Sequence, residues 1–132
     1  MSAEVAYLDS SAFVKTINEE LESRALARFL VEWPRRASSK LLLVESLRVA
    51  RRYAPEKLGR TRGELRSVQL IEIDDGVLER ATSIDPVTVR SLDAIHLATA
   101  EQLGSDLGVV VTYDERMASG ARMLGLAVAS PS

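Results

Sequence analysis

Four acidic residues of this chain are bordered by apolar sequence, where carboxylates are uncommon. Asp9 directly follows the apolar run "VAYL", and Asp114 follows "VVVTY". Asp93 lies in the first turn of a predicted helix within "SLDAIHLA", and Glu45 lies within "LLLVESLRVA", where apolar residues one turn away share its helix face. Burying an unpaired carboxylate is strongly unfavourable, so each of these acids needs a partner.

Each acid taken alone also has an ordinary structural interpretation. Asp9 and Asp114 can cap the helices that follow them. Asp93 can favour a helix dipole, and Glu45 can pair with an arginine three or seven residues further along its helix. Four such acids, three of them at the ends of elements, instead indicate one shared site. Because close carboxylates repel unless a cation neutralises them, and because oxygen ligands select hard ions, that site predicts Mg²⁺ or Mn²⁺ and not zinc.

Predicted strands and helices alternate along the whole chain. This order predicts an α/β fold in which a parallel-stranded sheet carries helices on both faces. In such a sheet ligands bind beyond the carboxyl ends of the strands, where Asp9 and Asp114 are expected. The predicted strands are 4–8, 35–39, 68–74, 107–114 and 126–130, and the predicted helices are 10–18, 19–33, 40–53, 56–67, 75–84, 92–104 with Ser91 as its cap, and 115–125.

The composition is that of a compact globular protein. Of the 132 residues, 46% are hydrophobic and 27% are charged, which predicts a single domain over residues 1–132. The chain has no cysteine, so disulfides and thiolate metal sites are excluded and a cytoplasmic location is expected. No apolar run approaches the roughly 18 residues of a membrane span, so we expect no membrane partner.

Positive charge is concentrated in one segment. Residues 35–66 contain ten basic and three acidic residues, a net charge of +7, so the rest of the chain carries −9. This asymmetry is consistent either with a pair of solvated helices or with a surface that binds phosphates. If the segment binds a polyanion through its phosphates, replacing Arg51 and Arg52 together should weaken that binding and its salt dependence.

Four stretches in order resemble the successive motifs of PIN-domain ribonucleases, especially the VapC toxins of toxin–antitoxin pairs: "YLDSSAFVK", "LLLVESLRVARR", "SLDAIHLATA" and "VVTYDERMASGARMLGLAV". The resemblance extends from about residue 5 to residue 128. It implies the PIN fold and a metal-dependent endoribonuclease that acts as a toxin. Carried over by position, it assigns the acidic cluster and the hydroxyl residue before its last acid to Asp9, Glu45, Asp93, Asp114 and Thr112.

The resemblance also implies different roles for neighbouring residues near the amino terminus. Near the carboxyl terminus, this chain departs from the family pattern at one position. Asp9 is expected to bind Mg²⁺ or Mn²⁺, while Ser10 or Ser11 starts the helix. Many relatives carry a further acid two positions after the last one, where this chain has Arg116. That difference leaves open how a second metal would be held, and whether Asp114 binds metal directly or through water.

Two other classes of protein are alternatives. A catalytically weak PIN fold kept as a protein-binding module is one, for which Arg116 is the only indication. A phosphoaspartyl enzyme or receiver is the other, because these also place Asp at strand ends. Receivers need a lysine after a late strand and haloacid dehalogenases a second acid at position 11, and this sequence has neither.

The resemblance implies three partners: an RNA substrate, a VapB-like antitoxin and a second copy of the chain in a homodimer. An apolar docking surface is expected near the end of the second helix, with Phe29, Leu30 and Trp33, together with Phe13. The alternative is that these four side chains belong to the core.

The remaining conspicuous side chains have structural interpretations. His96, the only histidine, is expected to be structural, because hard-ion sites do not require imidazole. Met117 and Met123 are predicted to be helix core. The tyrosines and Trp33 are too scattered to stack RNA bases.

Overall fold

The computed structural model describes residues 3–132 as five parallel strands and seven α-helices joined by loops and short 3-10 turns. The strands are β1 (Val5–Leu8), β2 (Arg35–Ser39), β3 (Gln69–Ile71), β4 (Leu107–Val111) and β5 (Val128–Ala129). The helices are α1 (Ser10–Phe13), α2 (Ser23–Val31), α3 (Leu41–Tyr53), α4 (Leu58–Leu65), α5 (Asp75–Ala81), α6 (Ser91–Glu101) and α7 (Glu115–Met123). Turns of 3-10 helix lie at Val14–Thr16, Pro55–Lys57 and Gly104–Asp106.

The sheet has the strand order β3-β2-β1-β4-β5, with every neighbouring pair parallel. β1 is therefore central, and its neighbour β4 comes from the far end of the chain. Leu8 lies opposite Val111 in the register of this pair. The two strands consequently end side by side, and the residues that follow them meet at the carboxyl edge of the sheet.

The alternation of side chains along β1 builds a core on each face of the sheet. Tyr7 packs with Leu97 of α6 and Met117 of α7 on one face. Leu8 points to the other face, where it packs with Leu26 of α2. Helices therefore cover both faces, which confirms the predicted α/β architecture.

The second helix is shorter than predicted. The prediction of residues 19–33 is wrong at both ends, because α2 begins at Ser23 and ends at Val31. The Ser23 hydroxyl donates to the carbonyl of Asn18 and accepts from the backbone N–H of Glu20, which fixes a turn before the helix. Leu21 therefore lies outside the helix with 94% of its surface exposed.

Several other details differ from the prediction. Ser91 is the first residue of α6 and not its cap; the cap position is Arg90, whose side chain makes no capping bond. Met117 is buried as predicted, but Met123, in the last turn of α7, is 63% exposed. The predicted strands 68–74, 107–114 and 126–130 are longer than β3, β4 and β5. In the first two cases the chain turns early so that an aspartate, Asp74 or Asp114, caps the next helix.

Of the four side chains predicted to form an apolar docking surface, Phe13 and Leu30 belong to the core, whereas Phe29 and Trp33 are partly buried; the prediction is wrong for the first two. Phe13 and Leu30 are buried. Phe29 and Trp33 stack with ring centroids 6.1 Å apart and pack against the core cluster. Trp33 also covers Gly108, where a Cβ atom would lie 2.3 Å from the indole ring. Position 108 therefore has no room for a side chain.

The helices are short. α3 has 13 residues, whereas crossing a bilayer takes about 20 apolar ones. Within residues 3–132, no helix combines the length and the apolar character needed to cross a membrane.

Candidate active site

Asp9 lies at the carboxyl end of the central strand and is 97% buried, with 3% of its surface exposed. Its Oδ1 accepts hydrogen bonds from the Ser11 hydroxyl at 2.7 Å and from the backbone N–H of Ala12 at 3.0 Å. Its Oδ2 accepts from the Thr112 hydroxyl. Asp9 is thus itself the cap of α1, and Ser11 donates to the Asp9 carboxylate. The helix begins at Ser10 as expected, but the expectation that Ser10 or Ser11 would take the capping role in place of Asp9 is wrong.

The same two hydroxyls also hold the turn that follows β4. Ser11 Oγ accepts from the backbone N–H of Tyr113 at 2.9 Å, and Thr112 Oγ1 accepts from the backbone N–H of Asp114 at 3.1 Å. Each hydroxyl therefore accepts a bond from this turn and donates one to Asp9. This arrangement fixes the start of α7 beside the end of β1.

Asp114 begins α7 in the same way that Asp9 begins α1. Its Oδ1 accepts from the backbone N–H groups of Arg116 at 2.8 Å and Met117 at 3.2 Å. Arg116 contributes only this N–H group to the carboxylate, and its side chain is exposed. Among residues 3–132, no group donates a hydrogen bond to Oδ2 of Asp114, which leaves that oxygen for a ligand.

Glu45 reaches the site from α3 and is held by His96 of α6. His96 is 1% exposed, and its Nε2 lies 2.7 Å from Glu45 Oε1. On the other side of the ring, Nδ1 lies 2.7 Å from the Tyr7 hydroxyl. The arginines considered as partners of Glu45, Arg48 and Arg52, form no ion pair with it in the described chain.

The bonding pattern assigns the protons along this row of three side chains. A carboxylate only accepts hydrogen bonds, so His96 Nε2 carries the proton that bonds Glu45. Burial raises the pKa of Tyr7 far above its usual range, so its hydroxyl keeps its proton at the 2.7 Å contact with Nδ1. His96 therefore links Tyr7 to Glu45 and orients that carboxylate, which extends the predicted structural role of this histidine to the site itself.

Asp93 faces the other three acids from the first turn of α6. Burial raises the pKa of its carboxyl, and the negative charges of Asp114, Asp9 and Glu45 raise it further. No hydrogen bond to this carboxylate is made by any residue from 3 to 132. The four predicted acids therefore share one electrostatic field, and Asp93 is the one without a protein donor.

Burial also raises the pKa of Asp9, while the hydrogen bonds from Thr112, Ser11 and Ala12 act in the opposite direction. An ionised Asp9 is costly in this environment without a cation.

The sequence matches the PIN domain family over residues 6–122. This chain belongs to the PIN-domain family. Over 96% of its length it is 44% identical to ribonuclease VapC46 of Mycobacterium tuberculosis, 97% of which is covered. It is 42% identical to ribonuclease VapC35 of the same species, over 95% of this chain and 96% of that protein. These similarities confirm the predicted class, a VapC-type PIN-domain ribonuclease and thus a hydrolase.

Solved structures share this PIN fold. One is a toxin–antitoxin complex from Klebsiella pneumoniae, with a TM-score of 0.76, 24% identity, and coverage of 96% of this chain and 98% of that one. Another is VapC20 of Mycobacterium tuberculosis, a sarcin-ricin loop cleaving toxin, with a TM-score of 0.76, 16% identity and coverage of 96% and 99%. At these identities the likeness establishes the fold alone.

The chemistry of this PIN-domain site fits a hard divalent cation. The donors are carboxylate oxygens, and the pKa of Asp93 is raised first by burial and then by the neighbouring carboxylates, whose repulsion a cation would relieve. Among residues 3–132, no three Asp, Glu or His side chains are already arranged so that they could hold a metal ion. Binding would therefore require the less constrained carboxylates, Glu45, Asp93 and Asp114, to close on the ion around a fixed Asp9.

Sequence reasoning identified the acids but missed two of the residues that hold them. Tyr7 was assigned no part in the site, although the strand alternation places it on the α6 face. Ser11 was considered for the helix start alone. The i, i+3 spacing of Asp93 and His96 was the available signal for His96, since it places both on one face of α6.

Proposed function

We propose that this protein is the endoribonuclease toxin of a toxin–antitoxin pair and hydrolyses RNA phosphodiester bonds at Asp9, Glu45, Asp93 and Asp114. The observation that carries the proposal is the Asp93 carboxyl, which is half-buried among three other carboxylates and has no hydrogen-bond donor in the described part of the chain. A structural acid would have been paired or left to water. The VapC relatives, which are named as ribonucleases, support the same reaction.

The proposed cofactor is Mg²⁺ or Mn²⁺, held by the same four carboxylates. When bound, such an ion lowers the pKa of water so that it can attack at neutral pH, and offsets charge on the phosphate. This donor set is compatible with one or two ions. Arg116 stands where many relatives carry a fifth acid, but the other four acids are present.

The remaining residues position the acids and do not react. Thr112 and Ser11 donate to Asp9 and keep its oxygens in a fixed plane. His96 binds one oxygen of Glu45 and leaves the other for a ligand. Because both nitrogens of His96 are already bonded and the ring is buried, it has no free edge from which to protonate a leaving group.

We further propose that the toxin is a homodimer held inactive by a small VapB-like antitoxin in the cytoplasm. A free ribonuclease would damage the cell that makes it. The Klebsiella neighbour was solved as a toxin–antitoxin complex. Leu43 and Val44 of α3 are 38% and 53% exposed, an apolar surface consistent with a protein contact.

The test is cleavage of total RNA by the purified chain with Mg²⁺ or Mn²⁺, with EDTA, and with the Asp9→Asn variant. We expect cleavage with either metal ion alone, none with EDTA, and none by Asp9→Asn. Cleavage that persists in EDTA or in the variant would refute the metal-dependent site. An inactive chain that still binds the product of an adjacent small gene would instead support the protein-binding module.

A further inference from the structure

A cleft of about 530 Å³ opens between the turn after α1, helix α2 and the beginning of α4. This volume is within the range of small-molecule sites, roughly 300–1,000 Å³. The proposed catalytic acids do not line it. The charged side chains of its lining are one carboxylate and five cations: Glu19, and Lys15, Arg24, Arg36, Lys57 and Arg60.

Three of the cations are held by neutral groups. The Arg36 guanidinium donates to two backbone carbonyls near the end of α2, at 2.9 and 3.0 Å. Arg60 donates to the carbonyl of Thr16 at 3.3 Å, and Lys57 to the side-chain oxygen of Asn18 at 3.2 Å. Neutral acceptors orient these side chains without cancelling their charge. The cleft therefore holds a preorganised positive charge that lacks a counterion among residues 3–132.

Lys15 differs from the other cations. It pairs with Glu20 and Glu22, each at 2.9 Å, and so is neutralised locally. Arg24 has no carboxylate within 4.0 Å in the described part of the chain, and the same is true of the three cations above. Lys15 with its two glutamates leaves one excess negative charge, and Glu19 adds another, so the four cations without a carboxylate partner still leave the cleft net positive, as an anion site requires.

The cleft adjoins the carboxylate edge. The Lys15 ammonium lies 4.9 Å from the ring centroid of Tyr113. Tyr113 donates its backbone N–H to Ser11, and Ser11 donates to Asp9. Three consecutive contacts thus join the wall of the cleft to the first catalytic acid.

We propose that this cleft binds the phosphodiester backbone of the RNA strand next to the bond that is cut, a proposal that rests on the function above. Because the contacts through Tyr113 and Ser11 connect the cleft to Asp9, we expect one strand with regularly spaced phosphates to run from the cleft to the carboxylate edge. Among the described residues, the lining contains no aromatic side chain, so the contacts recognise phosphates without stacking bases.

The test is RNA binding by fluorescence anisotropy in the Asp9→Asn background, which separates binding from cleavage. A short single-stranded RNA is titrated with the Arg24→Gln/Arg60→Gln pair between about 50 and about 200 mM NaCl. We expect binding at least about tenfold weaker at the lower salt, with a salt slope smaller by about 1.4, which is about 0.7 for each lost contact. Arg24→Gln alone should give about half the change in slope.

The matched control is the Arg28→Gln/Arg62→Gln pair. It removes two exposed arginines from the same two helices, outside the lining of the cleft. We expect RNA affinity and salt slope close to those of the Asp9→Asn parent. Thermal melting of all variants checks that the fold is retained.

The outcomes separate this proposal from the proposed function. Equal weakening by the cleft pair and the control pair would overturn the cleft, even if the wild-type chain cleaves RNA. Cleft-specific weakening in a chain whose wild type cleaves no RNA would support the cleft and refute the function. Binding of inorganic pyrophosphate or a mononucleotide as tightly as RNA would overturn RNA as the occupant of the cleft. The same conclusion would follow if the cleft pair bound RNA as its parent does and lost binding only to an acidic peptide.

Discussion

The strand side and the helix side of the carboxylate cluster are held in different ways. On the strand side, Asp9 accepts three hydrogen bonds from groups near the ends of β1 and β4, and both of its oxygens are bonded. On the helix side, Glu45 has a single donor, His96, and Asp93 has none within residues 3–132. One side is fixed before any ligand arrives, and the other is free to adapt.

This difference assigns the two sides different tasks. A buried, fully bonded carboxylate sets the position of a cation, because moving it would break several hydrogen bonds. The helix-borne carboxylates can turn about their side-chain bonds and close on an ion. Substitution of Asp9 itself should therefore abolish function, whereas substitutions of residues that support the helix-borne acids should weaken it.

The largest effect is expected for Asp9→Asn. The amide keeps the shape of the side chain but removes a negative ligand, so RNA cleavage should fall by about a thousandfold or more, equivalent to several kcal/mol. The measurement is the initial cleavage rate with Mn²⁺ in excess. Full activity in a folded variant would show that the strand side does not fix the metal.

A smaller effect is expected for His96→Phe, which leaves Glu45 without its donor. Loss of an orienting partner of this kind typically costs about 10–100-fold in activity or metal affinity. Cleavage rate and Mn²⁺ affinity should both fall. Tyr7→Phe, which removes only the hydroxyl bonded to Nδ1, is the companion variant and should cost less; an unchanged Mn²⁺ affinity in both would make the row purely structural.

Thr112→Val should mainly affect stability. It removes one donor to the buried Asp9 carboxylate, at a cost of about 1–3 kcal/mol in the free energy of unfolding. Thr112→Ser keeps the hydroxyl and is the control. Urea denaturation of the two variants measures the difference, and equal stability would remove Thr112 from the support of Asp9.

The smallest effect concerns pH in the absence of metal. The pKa of Asp93 is raised in the folded state, so its contribution to stability is complete below the ordinary pKa of about 3.8 and is lost as pH rises through the raised value. Asp93→Asn should therefore be more stable than wild type near neutral pH, by less than about 1 kcal/mol because half of the side chain is screened by solvent. Melting curves in EDTA from acid to neutral pH test this, and a stability gap that does not change with pH would contradict it.

The same comparison explains what the sequence could predict. The sequence could place Asp9 and Asp114 together because each directly follows an apolar strand, and parallel topology brings the ends of β1 and β4 together. Alternation of elements was enough for the fold class. The helix ends were harder to predict, because local hydrogen bonds such as that of Ser23 to Asn18 decide where α2 begins.

The supporting residues were harder to predict for a physical reason. Tyr7, Glu45 and His96 form their row across separations of 51 and 89 residues, which no local pattern reveals. The partial burial of Trp33 was hard to predict for a related reason, because its ring fills the space beside Gly108 on a distant strand. Side chains whose partners come from elsewhere in the sheet need the three-dimensional structure.

The most direct test of the central claim is Mn²⁺ binding, measured by isothermal titration calorimetry without RNA. Wild type is compared with Asp9→Asn and with Asp106→Asn, a control that alters an acid just before β4, at the opposite edge of the sheet. If the four carboxylates form one cation site around a fixed Asp9, wild type and the control bind Mn²⁺ alike, and Asp9→Asn binds at least about a hundredfold more weakly. Equal Mn²⁺ affinity in all three proteins would contradict the account.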